Sequence, residues 1–197
     1  MRLSILSNSK RLLVLACMAL VLAVGLVFGP MAQSASACSI APCSLPGDWF
    51  SYGTLRTVVT GGQKTIDMPG ASLTAGVQFE QFSALVNHPN QQFAIYSTGY
   101  TDQGYLIAEI RVAHSGFCMD VSGASTSAGA AVVQWPCNGQ ANQRFILDIA
   151  GDNNFHIQPL HSRLCLDVKG GSLNNGAKIQ QWTCNGTNAQ LFYRGSY

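Results

Sequence analysis

Cys165-Leu166-Asp167-Val168-Lys169-Gly170-Gly171-Ser172, closing with Gln181-Trp182-Thr183-Cys184-Asn185-Gly186, is the stretch on which the fold turns. An earlier stretch repeats it: Cys118-Met119-Asp120-Val121-Ser122-Gly123-Ala124-Ser125, closing with Gln134-Trp135-Pro136-Cys137-Asn138-Gly139. A diverged first copy reads Thr65-Ile66-Asp67-Met68-Pro69-Gly70-Ala71-Ser72 and reaches Phe82. In every copy an aromatic stands fifteen residues after the Asp and a glycine three after it. A Gln-x-Phe follows each aromatic, at Gln91-Gln92-Phe93, Gln143-Arg144-Phe145 and Gln190-Leu191-Phe192. The Asp-to-Asp steps are 53 and 47 residues. Periods of this size mean stacked or radially arranged units.

Each unit reads as short strands separated by turns. Leu55–Thr60, Ile107–Val112 and Phe155–Ile157 are predicted first strands, and the Asp-bearing segments are second strands. Val77–Phe82, Ala131–Trp135 and Ile179–Trp182 follow, and segments from Gln92, Arg144 and Leu191 close each unit. Gly, Ser, Asn and Asp fill the gaps, and no sustained helical period occurs after Ala37. Three units of four strands predict an all-β fold of about twelve strands, a β-trefoil. The Phe of each Gln-x-Phe is expected in the shared core.

The first stretch reads as an export signal. Arg2, Lys10 and Arg11 precede the apolar run Leu12–Phe28, then Gly29-Pro30 and the small-residue run Ala35-Ser36-Ala37. That is a positive segment, an apolar segment and a cleavage site, so residues 1–37 are expected to be removed and the protein to be secreted, in a bacterial setting. Residues 38–48 form a short leader, and 49–197 form the domain, with repeats at about 49–98, 99–150 and 151–197. Removing the signal takes three of eleven Lys/Arg, leaving eight against nine Asp/Glu. No basic patch survives, which argues against nucleic acid and anionic membrane as partners.

Six cysteines remain after Ala37. An even count in an exported chain reads as disulfides, and the repeats suggest the pairing. Cys118 and Cys137 flank one Asp-to-Trp interval, Cys165 and Cys184 flank the next, and Cys38 with Cys43 is left as a local loop. The first copy has Thr65 and Ala84 at the half-cystine positions, so it lacks the staple. A metal site is a poor alternative: no C-x-x-C pair occurs, and the four histidines do not stand at ligand spacing. No cofactor is implied.

The repeats resemble the ricin-B type (R-type) lectins, a β-trefoil carbohydrate-binding family. The residues that carry the resemblance are Cys-Leu-Asp-Val, Gln-x-Trp-x-Cys-Asn-Gly and the terminal Asn-Gln-x-aromatic, over about Trp49 to Tyr197. The resemblance implies that the Asp accepts hydrogen bonds from sugar hydroxyls and the aromatic stacks on the pyranose ring. A residue thirteen after the Asp, often Gln, and the Asn of the Asn-Gln pair would complete the polar shell. The chemistry fits on its own terms: a carboxylate makes charge-assisted bonds, and a flat ring covers the C–H face of a sugar.

The third repeat carries Asp167, Gly170, Gln180 and Trp182, with Ala189 where the family has Asn and Asn188 or Gln190 beside it as substitutes. The second carries Asp120, Gly123, Trp135 and Asn142, with Val133 in place of the polar residue unless Gln134 turns in. The first carries Asp67, Phe82 and Asn90, with Glu80 at the polar position, and is expected to be the weakest site. Gln91, Gln143 and Gln190 are expected to be structural, bonded to backbone, and His114 and His161 to be strand-end structure.

An enzyme is not expected. The sequence has no G-x-S-x-G, and one Asp per repeat does not supply the paired carboxylates of a glycosidase. The expected function is a monomeric secreted lectin recognising galactose-type sugars or a xylan-like polysaccharide. Two alternatives remain open: a protein-binding trefoil such as a secreted protease inhibitor, or the glycan-targeting subunit of a multichain toxin.

Overall fold

The computed structural model describes residues 52–195. The predicted signal peptide, the leader and the Cys38–Cys43 pair lie outside them. Twelve strands occur among the described residues, linked by turns and single 3-10 turns, with no α-helix. The first repeat holds β1 (Thr54–Thr57), β2 (Lys64–Asp67), β3 (Glu80–Ser83) and β4 (Phe93–Tyr100). The second holds β5 (Leu106–Val112), β6 (Cys118–Val121), β7 (Val132–Trp135) and β8 (Arg144–Gly151). The third holds β9 (Asn154–Pro159), β10 (Cys165–Val168), β11 (Ala177–Trp182) and β12 (Phe192–Gly195).

Six strands close on themselves. β1 pairs β12, β12 pairs β9, β9 pairs β8, β8 pairs β5 and β5 pairs β4. The Gly53–Phe93 bridge returns the circuit to β1. The other six strands form three hairpins, β2–β3, β6–β7 and β10–β11. β3 pairs β11, and the Gln78–Val133 and Ala131–Gln180 bridges join the remaining corners. A six-stranded barrel under a triangle of three hairpins is the β-trefoil expected from the repeat.

The core is layered in threes. Phe93, Phe145 and Phe192, one from each Gln-x-Phe, are fully buried, as the sequence predicts. Leu55, Ile110 and Ile157 form a second set, and Ile66, Met119 and Leu166 a third. Burying each such side chain contributes about 1.5–3 kcal/mol. Alternation along each strand produces the layers, because every second side chain faces the axis.

Three predicted strands prove shorter, β7 only by Ala131, which forms an isolated bridge with Gln180. β1 stops at Thr57, and Val58–Thr60 form a 3-10 turn closed by Gly61 at φ 61°. Val77 to Phe79 stand outside β3, which begins at Glu80. Phe79 instead turns into the core and meets Phe93, with ring centroids 5.9 Å apart.

A second polar structure ties the repeats together. Gln81, Gln134 and Gln181 are wholly buried, each fourteen residues after its repeat's Asp. Gln134 Nε2 donates to the carbonyls of Ser72 (2.8 Å) and Thr74 (2.9 Å) in the first repeat. Gln181 does the same to Ser125 and Ser127, and Gln81 to Ser172 and Asn174. Every repeat therefore grips the loop of its neighbour through one side-chain amide. Leaving such carbonyls unpaired would cost about 1–3 kcal/mol each.

Candidate functional site

The three aspartates lie on the first strand of each hairpin and are nearly buried, at 4–5% exposure. Each holds two side-chain amides. Asp67 Oδ1 accepts from Asn90 Nδ2 (2.9 Å) and Gln91 Nε2 (2.8 Å). Asp120 Oδ2 accepts from Asn142 Nδ2 (2.9 Å) and Gln143 Nε2 (2.8 Å). Asp167 Oδ2 accepts from Gln190 Nε2 (3.1 Å), and its Oδ1 from Gln180 Nε2 (3.0 Å). These contacts fix the carboxylates in orientation.

Burial pushes the Asp120 carboxyl above its ordinary 3.8, against the lowering effect of hydrogen bonds from Gln143 and Asn142. Burial also raises Asp67, opposed by its bond from Gln91. Desolvation disfavours the charged form, and the amides restore only part of what water supplied.

The two positions that looked like defects in sequence compensate each other. The second repeat has Val133 at the polar position and takes its second amide from Asn142. The third has Ala189 where Asn142 would be, and takes its second amide from Gln180. Asn188 lies on the pocket rim, exposed. Gln134 does not turn in to replace Val133, because its amide is committed to the neighbouring loop and its Oε1 to Ser115 Oγ.

Gln91, Gln143 and Gln190 each complete the same set of bonds. Their Oε1 atoms accept from the backbone N–H of Leu85, Asn138 and Asn185. Their Nε2 atoms also donate to the carbonyls of Ser83, Pro136 and Thr183. His114 and His161 bond through Nε2 to the carbonyls of Ser72 and Ser125, at the same joint that Gln134 and Gln181 grip.

Trp135 and Trp182 end the second strand of their hairpins, and Phe82 stands one residue before the end of its own. Trp135 and Trp182 keep 45% and 42% of their surface exposed, and Phe82 is half-buried. The two disulfides found, Cys118–Cys137 and Cys165–Cys184, fasten the chain two residues beyond each Trp. Each Trp also rests on the preceding repeat. A methyl built on Gly76 would stand 3.5 Å from Trp135 Cζ3, and one on Gly129 would stand 3.4 Å from Trp182 Cζ3. These glycines were missed in sequence, although Gly76, Gly129 and Gly176 recur nine residues after each Asp.

Gly70, Gly123 and Gly170 have φ of 60°, 63° and 68° inside the 3-10 turn after each Asp. A methyl there would meet no atom within 4 Å. The left-handed backbone calls for glycine, and no atom of the protein itself crowds the position.

In two repeats these parts converge. Asp167, Gly170, Gln180, Trp182 and Asn188 line one pocket of about 600 Å³. Asp120, Gly123, Trp135 and Asn142 line another of about 410 Å³. Both volumes suit a small organic ligand. Asn142 Oδ1 is buried there with no hydrogen-bond partner among the described residues. In the first repeat Glu80, at the polar position, instead pairs with Lys178 of the third repeat at 2.6 Å.

Comparison with known proteins agrees with this architecture. The ricin-type beta-trefoil lectin domain-like family matches residues 89–182 and 155–194. A designed three-fold symmetric protein, ThreeFoil, is 31% identical, with TM-score 0.68, over 74% of this chain and 99% of its own. An exo-β-1,3-galactanase from Clostridium thermocellum is 24% identical, with TM-score 0.68, over 75% of this chain and 30% of its own. The hemolytic lectin CEL-III is 25% identical, with TM-score 0.60, over 77% of this chain and 31% of its own. The chain thus spans about a third of the length of these last two. No curated protein sequence matches it.

Proposed function

Because the chain belongs to the ricin-type β-trefoil lectin-like family, we propose that it is a secreted protein that binds carbohydrate through the pockets of its second and third repeats. One observation carries the reading: in both pockets a carboxylate held by two amides lies with a half-exposed tryptophan. The carboxylate accepts sugar hydroxyls, and the indole covers the apolar face of the ring. The unpartnered Asn142 Oδ1 adds a buried acceptor, which a ligand hydroxyl would satisfy. The first repeat, with Phe82 and an ion-paired Glu80, contributes little.

The ligand is a galactose-type sugar or a xylan-like polysaccharide, and the protein acts by binding rather than catalysis. A single shallow site of this kind supplies about −4 kcal/mol, a millimolar affinity. Engagement of both sites by one polymer raises the avidity. Export follows from the basic residues, the apolar run and the Ala35-Ser36-Ala37 run at the N-terminus.

Retention on immobilised galactan and xylan tests the reading. Asp167→Ala and Trp182→Ala each lower retention sharply while circular dichroism stays unchanged. Unchanged retention in both, and in the Asp120→Ala/Asp167→Ala double variant, would sink it.

A further inference from the structure

The two pockets differ in charge. Lys169 lines the third-repeat pocket, two residues after Asp167, and is exposed. Its counterpart in the second repeat is Ser122, which lines that pocket, and in the first it is Pro69. Among the described residues the ion pairs are Arg111–Glu109 and Lys178–Glu80, so no acid there neutralises Lys169. The acid that shares its pocket, Asp167, already accepts an amide on each oxygen. The other pocket residues, Gln180, Asn185, Thr187 and Asn188, are neutral.

We propose that Lys169 makes the third-repeat pocket selective for acidic glycans, those bearing a uronate carboxylate or a sulfate ester on or beside the stacked sugar. Lys169 acts this way only if the pocket takes sugars, as proposed above. An ammonium on a four-carbon stem is a mobile point charge, and it does not demand the fixed bidentate geometry that arginine does. It therefore reaches an anionic substituent at the rim while Asp167 and Trp182 hold the ring. The second-repeat pocket, with a hydroxyl at the matching place, prefers neutral sugars. One polymer with sparse acidic units would then meet both pockets.

The measurement is affinity electrophoresis of the full secreted protein in a Trp135→Ala background, so that the third repeat is read alone. The probes are glucuronoxylan and a uronate-bearing arabinogalactan, each native and after reduction of its carboxyls to alcohols, and a sulfated galactan beside its desulfated form. The native acidic polymer is expected to bind about two- to fivefold more tightly than its reduced form, the scale of an exposed ion pair. Lys169→Gln removes that preference without weakening the reduced polymer, and raising the salt to about 1 M erases it in the parent. The sulfated pair shows whether the ammonium takes sulfate as well as carboxylate. Equal binding of native and reduced polymers in the parent, or a preference that survives Lys169→Gln, overturns the assignment while leaving the carbohydrate reading intact. Failure to retain any of the polymers overturns both.

Discussion

Trp182 lies over Gly129 of the preceding repeat, where a methyl on the glycine would stand in ordinary contact, 3.4 Å from Cζ3 of the indole. Trp135 stands in the same relation to Gly76. The exposed ring of each pocket is thus backed by a different repeat from the one that supplies it.

Gly129→Ala sets a methyl in contact with Trp182, and backbone strain at this position is expected to shift the loop beneath the ring and lower glycan retention through the third repeat. Alanine at its φ of 88° also costs about 1 kcal/mol or more. Gly104 has the same φ of 88° with nothing within 4 Å, so Gly104→Ala carries the backbone strain alone. Thermal melts should fall in both variants, whereas tryptophan fluorescence and retention should change only at Gly129.

The exchange of amide donors between repeats predicts a rescue. Gln180→Ala removes one of the two bonds to Asp167 and should weaken the third site about tenfold, the effect of losing one hydrogen bond to a charged group. Adding Ala189→Asn installs the arrangement of the second repeat and should recover most of that loss. Titration with a ligand of the parent protein measures both steps.

Acid should affect binding and stability in opposite directions at Asp120. In a Trp182→Ala background, binding through the second repeat fades as pH falls, with a midpoint above 3.8, because burial raises this carboxyl. The folded state then holds the Asp120 proton more tightly than the unfolded state does. Its contribution to stability is fully present below the unfolded value and is lost as pH rises through the raised one. Asp120→Asn should flatten both profiles, as read by retention and by denaturant midpoints.

Each disulfide closes an interval of nineteen residues. The Cys165→Ala/Cys184→Ala double variant should lose about 3 kcal/mol. In a domain of this size that lowers Tm by about 6–12 °C in a calorimetric scan. The strand of Phe82 in the first repeat has no such staple, because Thr65 stands at the half-cystine place and donates to the Leu55 carbonyl.

Much of the fold was legible because it repeats. The Asp, glycine and Gln-x-Phe recur at matching offsets, and each residue does the same thing three times: Phe93, Phe145 and Phe192 fill one core layer. The Cys118–Cys137 and Cys165–Cys184 pairs were legible for the same reason. The buried role of Gln134 was hidden, because its place beside Val133 resembles that of a pocket residue. Only its bonds to Ser72 and Thr74, in another repeat, distinguish the two roles.

By itself the sequence determined the three-fold fold, its core and its staples, because these follow from local alternation and from residue types repeated at constant spacing. The tertiary structure alone decided how each carboxylate is held and what supports each platform. Asn142 stands 22 residues after Asp120 and Gln180 only 13 after Asp167, yet they give the two carboxylates the same kind of second bond. Gly76 and Gly129 reach their tryptophans only when closure of the triangle sets one repeat's loop beneath the next. These glycine–tryptophan contacts join residues of different repeats, and no spacing within one repeat encodes them.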